Sequence, residues 1–171
     1  PGFADGWLNR GLLRLLQGDY RRGLADYEWR WKRRGMVRPR LAAPAWTGED
    51  PRGRCLLLWA EQGHGDTIRF ARFIPLLSER GAEVVLAAPR RLVSLLGSLA
   101  GVDRVVPIED PLPSADLQAP LMSLPLLLGL GEATPVPMEP YLAASPAASI
   151  AGDGRPLVGL VWAGSPTNES D

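Results

Sequence analysis

The chain is poor in the residues that most chemistry is built on. Its 171 residues hold one cysteine, Cys55, and one histidine, His64. One cysteine excludes an internal disulfide and a multi-cysteine metal site. At the start of an apolar run, Cys55 reads as a buried structural thiol. One histidine with one cysteine cannot furnish a zinc site. Net charge is zero, with 19 basic and 19 acidic residues. That removes any whole-chain attraction to nucleic acid or to an anionic membrane. The basic residues are uneven: ten of the 19 fall in the first forty positions. No apolar run approaches the ~18 residues of a membrane span, and no signal peptide is evident, so a cytoplasmic location is expected. The chain opens on Pro1 rather than methionine, and it is expected to be a segment of a longer protein.

What is present is ordered around 55–66, Cys-Leu-Leu-Leu-Trp-Ala-Glu-Gln-Gly-His-Gly-Asp. A buried strand runs into a glycine-bearing loop, and the pattern predicts a helix over 67–80 directly after it. Phe70, Phe73, Ile74 and Leu77 form the stripe of that helix. Further strands are expected at 83–88, 103–108, 116–119 and 157–162, and helices at 89–99 and 123–130. Strands alternating with helices of this length imply an α/β fold with a parallel sheet.

Two periodic segments precede this domain. Trp7, Leu8, Gly11, Leu12, Leu15 and Leu16 recur at helical spacing, with Arg10 and Arg14 on the opposite face. Tyr20, Gly23, Leu24, Tyr27 and Trp31 do the same after the break at Gly18-Asp19. A helical hairpin over 1–35 follows, joined to the domain by a linker over 36–53. The linker's proline and glycine content argues against a regular element, and Trp46 is expected to anchor it. The cluster Glu28-Trp29-Arg30-Trp31 reads as packing between hairpin and domain, with a ligand-binding role as the alternative.

The central loop fails several familiar tests. Gln62-Gly63-His64-Gly65-Asp66-Thr67-Ile68 places Ile68 where a dinucleotide fingerprint needs its third glycine, and strand two ends in Ala-Ala-Pro without a ribose-binding acid. No Gly-Lys-Ser/Thr follows, which excludes a P-loop. No G-x-S-x-G supplies a nucleophile elbow. There remains Asp66, a carboxylate at a helix start beside glycines. It reads either as an N-cap, worth about 1 kcal/mol, or as a general base toward a substrate hydroxyl. His64 is either a structural hydrogen-bonder or a donor to a phosphate or sugar oxygen. The amides of Gly63 to Asp66 offer room for an anion.

Taken together, these residues resemble a known family. Trp7, Gly11, Gly18, Tyr20, Gly23 and Tyr27 resemble the tetratricopeptide repeat pattern. The run 57–72, with Pro120-Leu121-Met122-Ser123-Leu124-Pro125 and Val158-Gly159-Leu160-Val161-Trp162-Ala163-Gly164-Ser165-Pro166, resembles bacterial tetratricopeptide-repeat proteins carrying a glycosyltransferase domain similar to the heptosyltransferases. The resemblance implies a Rossmann-like acceptor-side domain over 54–150, the amino-terminal half of a GT-B fold. It also implies the first strand and loop of a truncated second domain over 155–171. It makes Asp66 the catalytic base, and Gln62, Gly63, His64, Gly65, Ser123, Gly164 and Asn168 substrate-binding residues. The implied substrates are a nucleotide-sugar donor and a hydroxyl acceptor (glycan, lipid or protein), with inversion at the sugar, no metal and no further cofactor. The implied protein partner docks through the repeat, and the isolated segment is expected to be inactive. The alternative is a non-catalytic tetratricopeptide scaffold.

Overall fold

The computed structural model describes residues 3–131, 139–143 and 158–159. Four strands form one parallel sheet: β1 (Cys55–Trp59), β2 (Glu83–Ala88), β3 (Arg104–Pro107) and β4 (Leu117–Pro120), in the order β3-β2-β1-β4. The register pairs Leu57 with Val85 on one side and with Gln118 on the other. The chain therefore steps outward from β1 to β3 and then returns to the far side of β1. In open α/β sheets such a reversal leaves a crevice at the carboxyl ends of the two strands concerned, here β1 and β4.

Alternation along the strands divides the core in two. Leu56, Leu58, Val84 and Leu86 face the helices, together with Ile74, Leu77, Leu96, Leu121 and Leu124. Leu57, Trp59, Val85 and Ala87 face the other way. Among the described residues no α-helix packs on that second side. Trp31, Leu41, Ile108 and Leu112 do, so part of its cover comes from the hairpin's end and the linker.

The helix expected at 67–80 is two helices, α3 (His64–Ala71) and α4 (Pro75–Glu79). Pro75 has no N–H to donate back to Ala71, and it opens α4 at its first position instead. The helix expected over 89–99 is likewise shorter: a 3-10 turn, Arg90–Leu92, leads into α5 (Val93–Leu96). A second 3-10 turn, Leu121–Ser123, precedes α6 (Leu124–Leu127). Val158 and Gly159, the described residues of the strand expected at 157–162, lie in no strand, and Val158 is 80% exposed. A strand exists by pairing, and no described residue pairs with them.

The hairpin consists of α1 (Ala4–Leu16) and α2 (Tyr20–Tyr27), continued by a 3-10 turn, Glu28–Lys32. Gly18, at φ +84°, turns the chain between them. Asp19 caps α2 by accepting from Arg22 N at 3.3 Å. The two helices touch backbone to backbone. A Cβ on Gly11 would stand 2.9 Å from Tyr27 N, and one on Gly23 would stand 2.9 Å from Leu15 N. Arg10 and Arg14 do not point away as expected. Both reach across to Asp26, at 2.7 and 2.6 Å. Those bonds hold the Asp26 carboxyl below its ordinary range.

The linker is pinned more firmly than its composition suggests. Trp46 is buried in the main core, 2% exposed, and its indole N–H donates to Glu49 O at 2.8 Å. Trp46 N donates to Gln118 O, and Gln118 N to Pro44 O, which makes a parallel bridge at Ala45 on the free edge of β4.

Candidate functional site

Strand β1 delivers the loop of Ala60 to Gly63 to the sheet's carboxyl edge, and α3 begins at once. Gly63 is the N-cap residue, and no side chain caps the helix. Asp66 is therefore not the cap its sequence position suggests. It lies at the third position of α3, in the first turn. Among the described residues nothing donates to its carboxylate. Its charge is one of the influences raising the Tyr27 phenol, whose largest cause is burial.

Asp66 stands on the wall of a cavity of about 590 Å³ between the hairpin and the α/β domain. Leu12, Leu16 and Leu24 of the hairpin form one side, and Phe70 and Phe73 the other, with Arg69 and Arg72 also in the lining. Gly63, His64 and Gly65 are exposed. A Cβ on Gly65 would meet nothing within 4 Å. The structure thus brings Gly63, His64, Gly65 and Asp66 onto one open turn.

Gln62 and Ser123 are both engaged by residues at the hairpin's end. Gln62 Nε2 donates to the Tyr27 hydroxyl at 3.0 Å. Ser123 is 2% exposed, and its hydroxyl is engaged by Arg30 at 2.7 Å and by Glu28 at 2.8 Å. Ser123 also borders a smaller cavity of about 250 Å³, with Glu28, Arg38, Trp46 and Trp59. Gly164 and Asn168 lie outside the described residues.

Around Ser123 is a buried polar knot that the sequence did not disclose. Arg30, 2% exposed, holds Glu28 at 2.5 Å through Nη1 and Glu61 at 2.9 Å through Nη2. Its guanidinium also lies over the Tyr27 and Trp31 rings, at 4.7 and 4.8 Å. The second oxygen of Glu61 accepts from Met122 N at 3.4 Å. Burial pushes the Glu61 carboxyl above its usual range, against the pull of Arg30. Glu61 immediately precedes Gln62, so this knot ties the hairpin's end to the root of the glycine loop. The available signal was the adjacency of an acid to the loop; its arginine partner lies 31 residues away in the chain.

No described helix is long and apolar enough to cross a membrane. No family model matches the chain, and no solved structure matches it. Over 91 residues the chain is 35% identical to Protein FlbA of Caulobacter vibrioides, covering 50% of this chain and 15% of that protein. The chain thus aligns with only a small part of that relative's length.

Proposed function

We propose that the protein is a glycosyltransferase of GT-B type whose acceptor-side half is the α/β domain described above. The observation that carries the reading is the setting of Asp66. It is an unpartnered carboxylate among the described residues, in the first turn of the helix that follows β1, on the wall of the 590 Å³ cavity. The strand order β3-β2-β1-β4 supports it, because a crevice at the β1/β4 reversal is where ligands of open parallel sheets bind. The resemblance of 57–72 to the heptosyltransferases supports the same assignment.

In this reading an acceptor hydroxyl enters the cavity and Asp66 takes its proton. The oxygen attacks the anomeric carbon of a nucleotide sugar as the nucleotide leaves with the bonding pair. A single displacement inverts the configuration at that carbon. The exposed amides at the start of α3 and the side chain of His64 are placed to orient an oxygen-rich group. Most of the rate enhancement comes from holding two substrates in line. The donor-side residues, Gly164 and Asn168 among them, belong to the segment outside the described residues.

The test is sugar-nucleotide turnover by the protein expressed from its whole gene, over a panel of donors with a cell extract as acceptor source. The expected result is transfer by the wild type, and donor binding without transfer by Asp66→Asn. Normal transfer by Asp66→Asn removes the base assignment. A second reading, a non-catalytic repeat scaffold, is favoured by the apolar surface of α1, where Leu13 is 53% and Leu16 84% exposed. Wild-type protein that turns over no donor while retaining a protein partner through this face establishes the scaffold instead.

A further inference from the structure

The zero net charge of the chain conceals one strongly one-signed segment. Between Glu28 and Glu49 the sequence has no carboxylate and six cations: Arg30, Lys32, Arg33, Arg34, Arg38 and Arg40. Two of them are neutralised. Arg30 is buried on Glu28 and Glu61, and Arg33 pairs with Asp5 at 2.6 Å. The other four are exposed, and among the described residues none pairs with a carboxylate. Lys32 lies over Trp29 at 3.9 Å and Arg38 over Trp31 at 4.8 Å. Ring contacts fix the position of a cation without cancelling its charge. Within this basic stretch the chain turns at Gly35, φ +88°, and presents Val37, 82% exposed.

An exposed apolar side chain flanked along the chain by unneutralised cations fits a surface that is anionic outside and hydrocarbon beneath. We propose that the loop over 32–40 docks the protein on an anionic phospholipid bilayer. Lys32, Arg34, Arg38 and Arg40 bind the headgroups, and Val37 enters the interfacial layer. Each cation near an anionic leaflet contributes roughly a fivefold gain in partitioning. The inserted side chain adds an increment that salt does not screen. Nucleic acid shares the charge requirement but fits the loop less well. Single-stranded recognition depends on open aromatic faces. Here Trp29 is stacked on Trp7 at 5.1 Å and covered by Lys32, while Trp31 is enclosed by Arg30, Arg38 and the edge of Trp59. The proposal does not depend on the glycosyltransferase reading, since residues 32–40 do not line the Asp66 cavity and no turnover is needed to test it.

The experiment is vesicle co-sedimentation of the protein expressed from its whole gene. The probes are vesicles of pure phosphatidylcholine and of phosphatidylcholine mixed with phosphatidylglycerol, at low and high salt. Binding is expected to the mixed vesicles alone, weakening as salt rises. Substituting Lys32, Arg34, Arg38 and Arg40 together by glutamine is expected to weaken it by at least about tenfold. Circular dichroism reports whether that variant folds. If it does not, Arg34→Gln with Arg40→Gln, neither of which contacts a ring, is read in its place. Val37→Asp is expected to weaken binding severalfold with the fold intact. No binding to mixed vesicles, equal binding to both compositions, or unchanged binding by a folded loop variant overturns the proposal. A tighter, loop-dependent complex with an oligonucleotide also overturns it, and assigns the loop to nucleic acid.

Discussion

Arg30 and Glu61, 31 residues apart in the chain, meet at 2.9 Å with both side chains 2% exposed. The pair welds the end of the helical hairpin to the loop that leads into α3. Removing one member of a buried ion pair leaves the other charge desolvated and unmatched, at a cost of about 3–5 kcal/mol. Arg30→Met is therefore expected to lower unfolding stability by that amount in urea titration. Arg30→Met with Glu61→Leu is expected to recover much of the loss, because the orphaned carboxylate is gone. Equal instability of the single and double variants would show that packing, rather than charge pairing, dominates.

The pH dependence follows from Glu61. Its folded-state pKa is raised, with burial as the first cause, so the native state binds its proton more tightly than the unfolded chain. The linked stability is fully present below the unfolded carboxyl value of 4.5 and is lost as pH rises through the higher folded value. Asp26 runs the other way. Its pKa is depressed, chiefly by the hydrogen bond from Arg10, so its contribution is present above 3.8 and fades as pH falls below that. In thermal melts against pH, Glu61→Gln should gain on the wild type as pH rises through the Glu61 titration. Asp26→Asn should instead lose least, relative to wild type, at the acid end.

The glycines divide sharply. Gly23→Ala puts a methyl 2.9 Å from Leu15 N, where the obstacle is backbone and cannot rotate away. Prying the hairpin helices apart should cost about 1–3 kcal/mol. Gly65→Ala meets nothing within 4 Å and lies inside α3, so it should be neutral or stabilise by up to about 1 kcal/mol. Chemical denaturation of both variants checks the contrast. If Gly65 serves to admit substrate, the alanine variant will keep its stability and lose donor or acceptor binding.

Asp66→Asn should shift stability by less than about 1 kcal/mol. The side chain makes no cap bond, and only its interactions with the helix dipole and, through space, with Tyr27 are lost. A loss near 2 kcal/mol would restore the capping role that its sequence position suggests. Loss of transfer by roughly a hundredfold or more, with unchanged melting, fits a general base.

Much of the sheet was legible because its strands are apolar runs punctuated by glycine and proline. The strand expected at 83–88 is observed at Glu83–Ala88, and the buried strand that opens the 55–66 stretch at Cys55–Trp59. Helix ends were less legible. The start of α3 at His64 rather than at 67 puts Asp66 inside the first turn, and Pro75 divides what a continuous apolar stripe of Phe70, Phe73, Ile74 and Leu77 had joined. The hydrophobic pattern reports which residues are buried, and it is silent on where the backbone can no longer donate. Arg10, Arg14 and Arg30 were hardest to read. Each has a partner on another element, and periodicity carries no information about a charge that will be matched across space.

The bridge at Ala45 has a bearing on how the chain can be cut. Its two hydrogen bonds to Gln118 occupy the outer rim of β4, and an open rim is a template for pairing with other molecules. A truncation beginning at residue 54 looks natural, since it keeps all four strands. It would strip that guard, remove Trp46 from the core and strand Glu61 without Arg30. Such a fragment should clump through its bared flank. A cut that spares the hairpin's last turn and the stretch after it should yield a domain that stays monomeric.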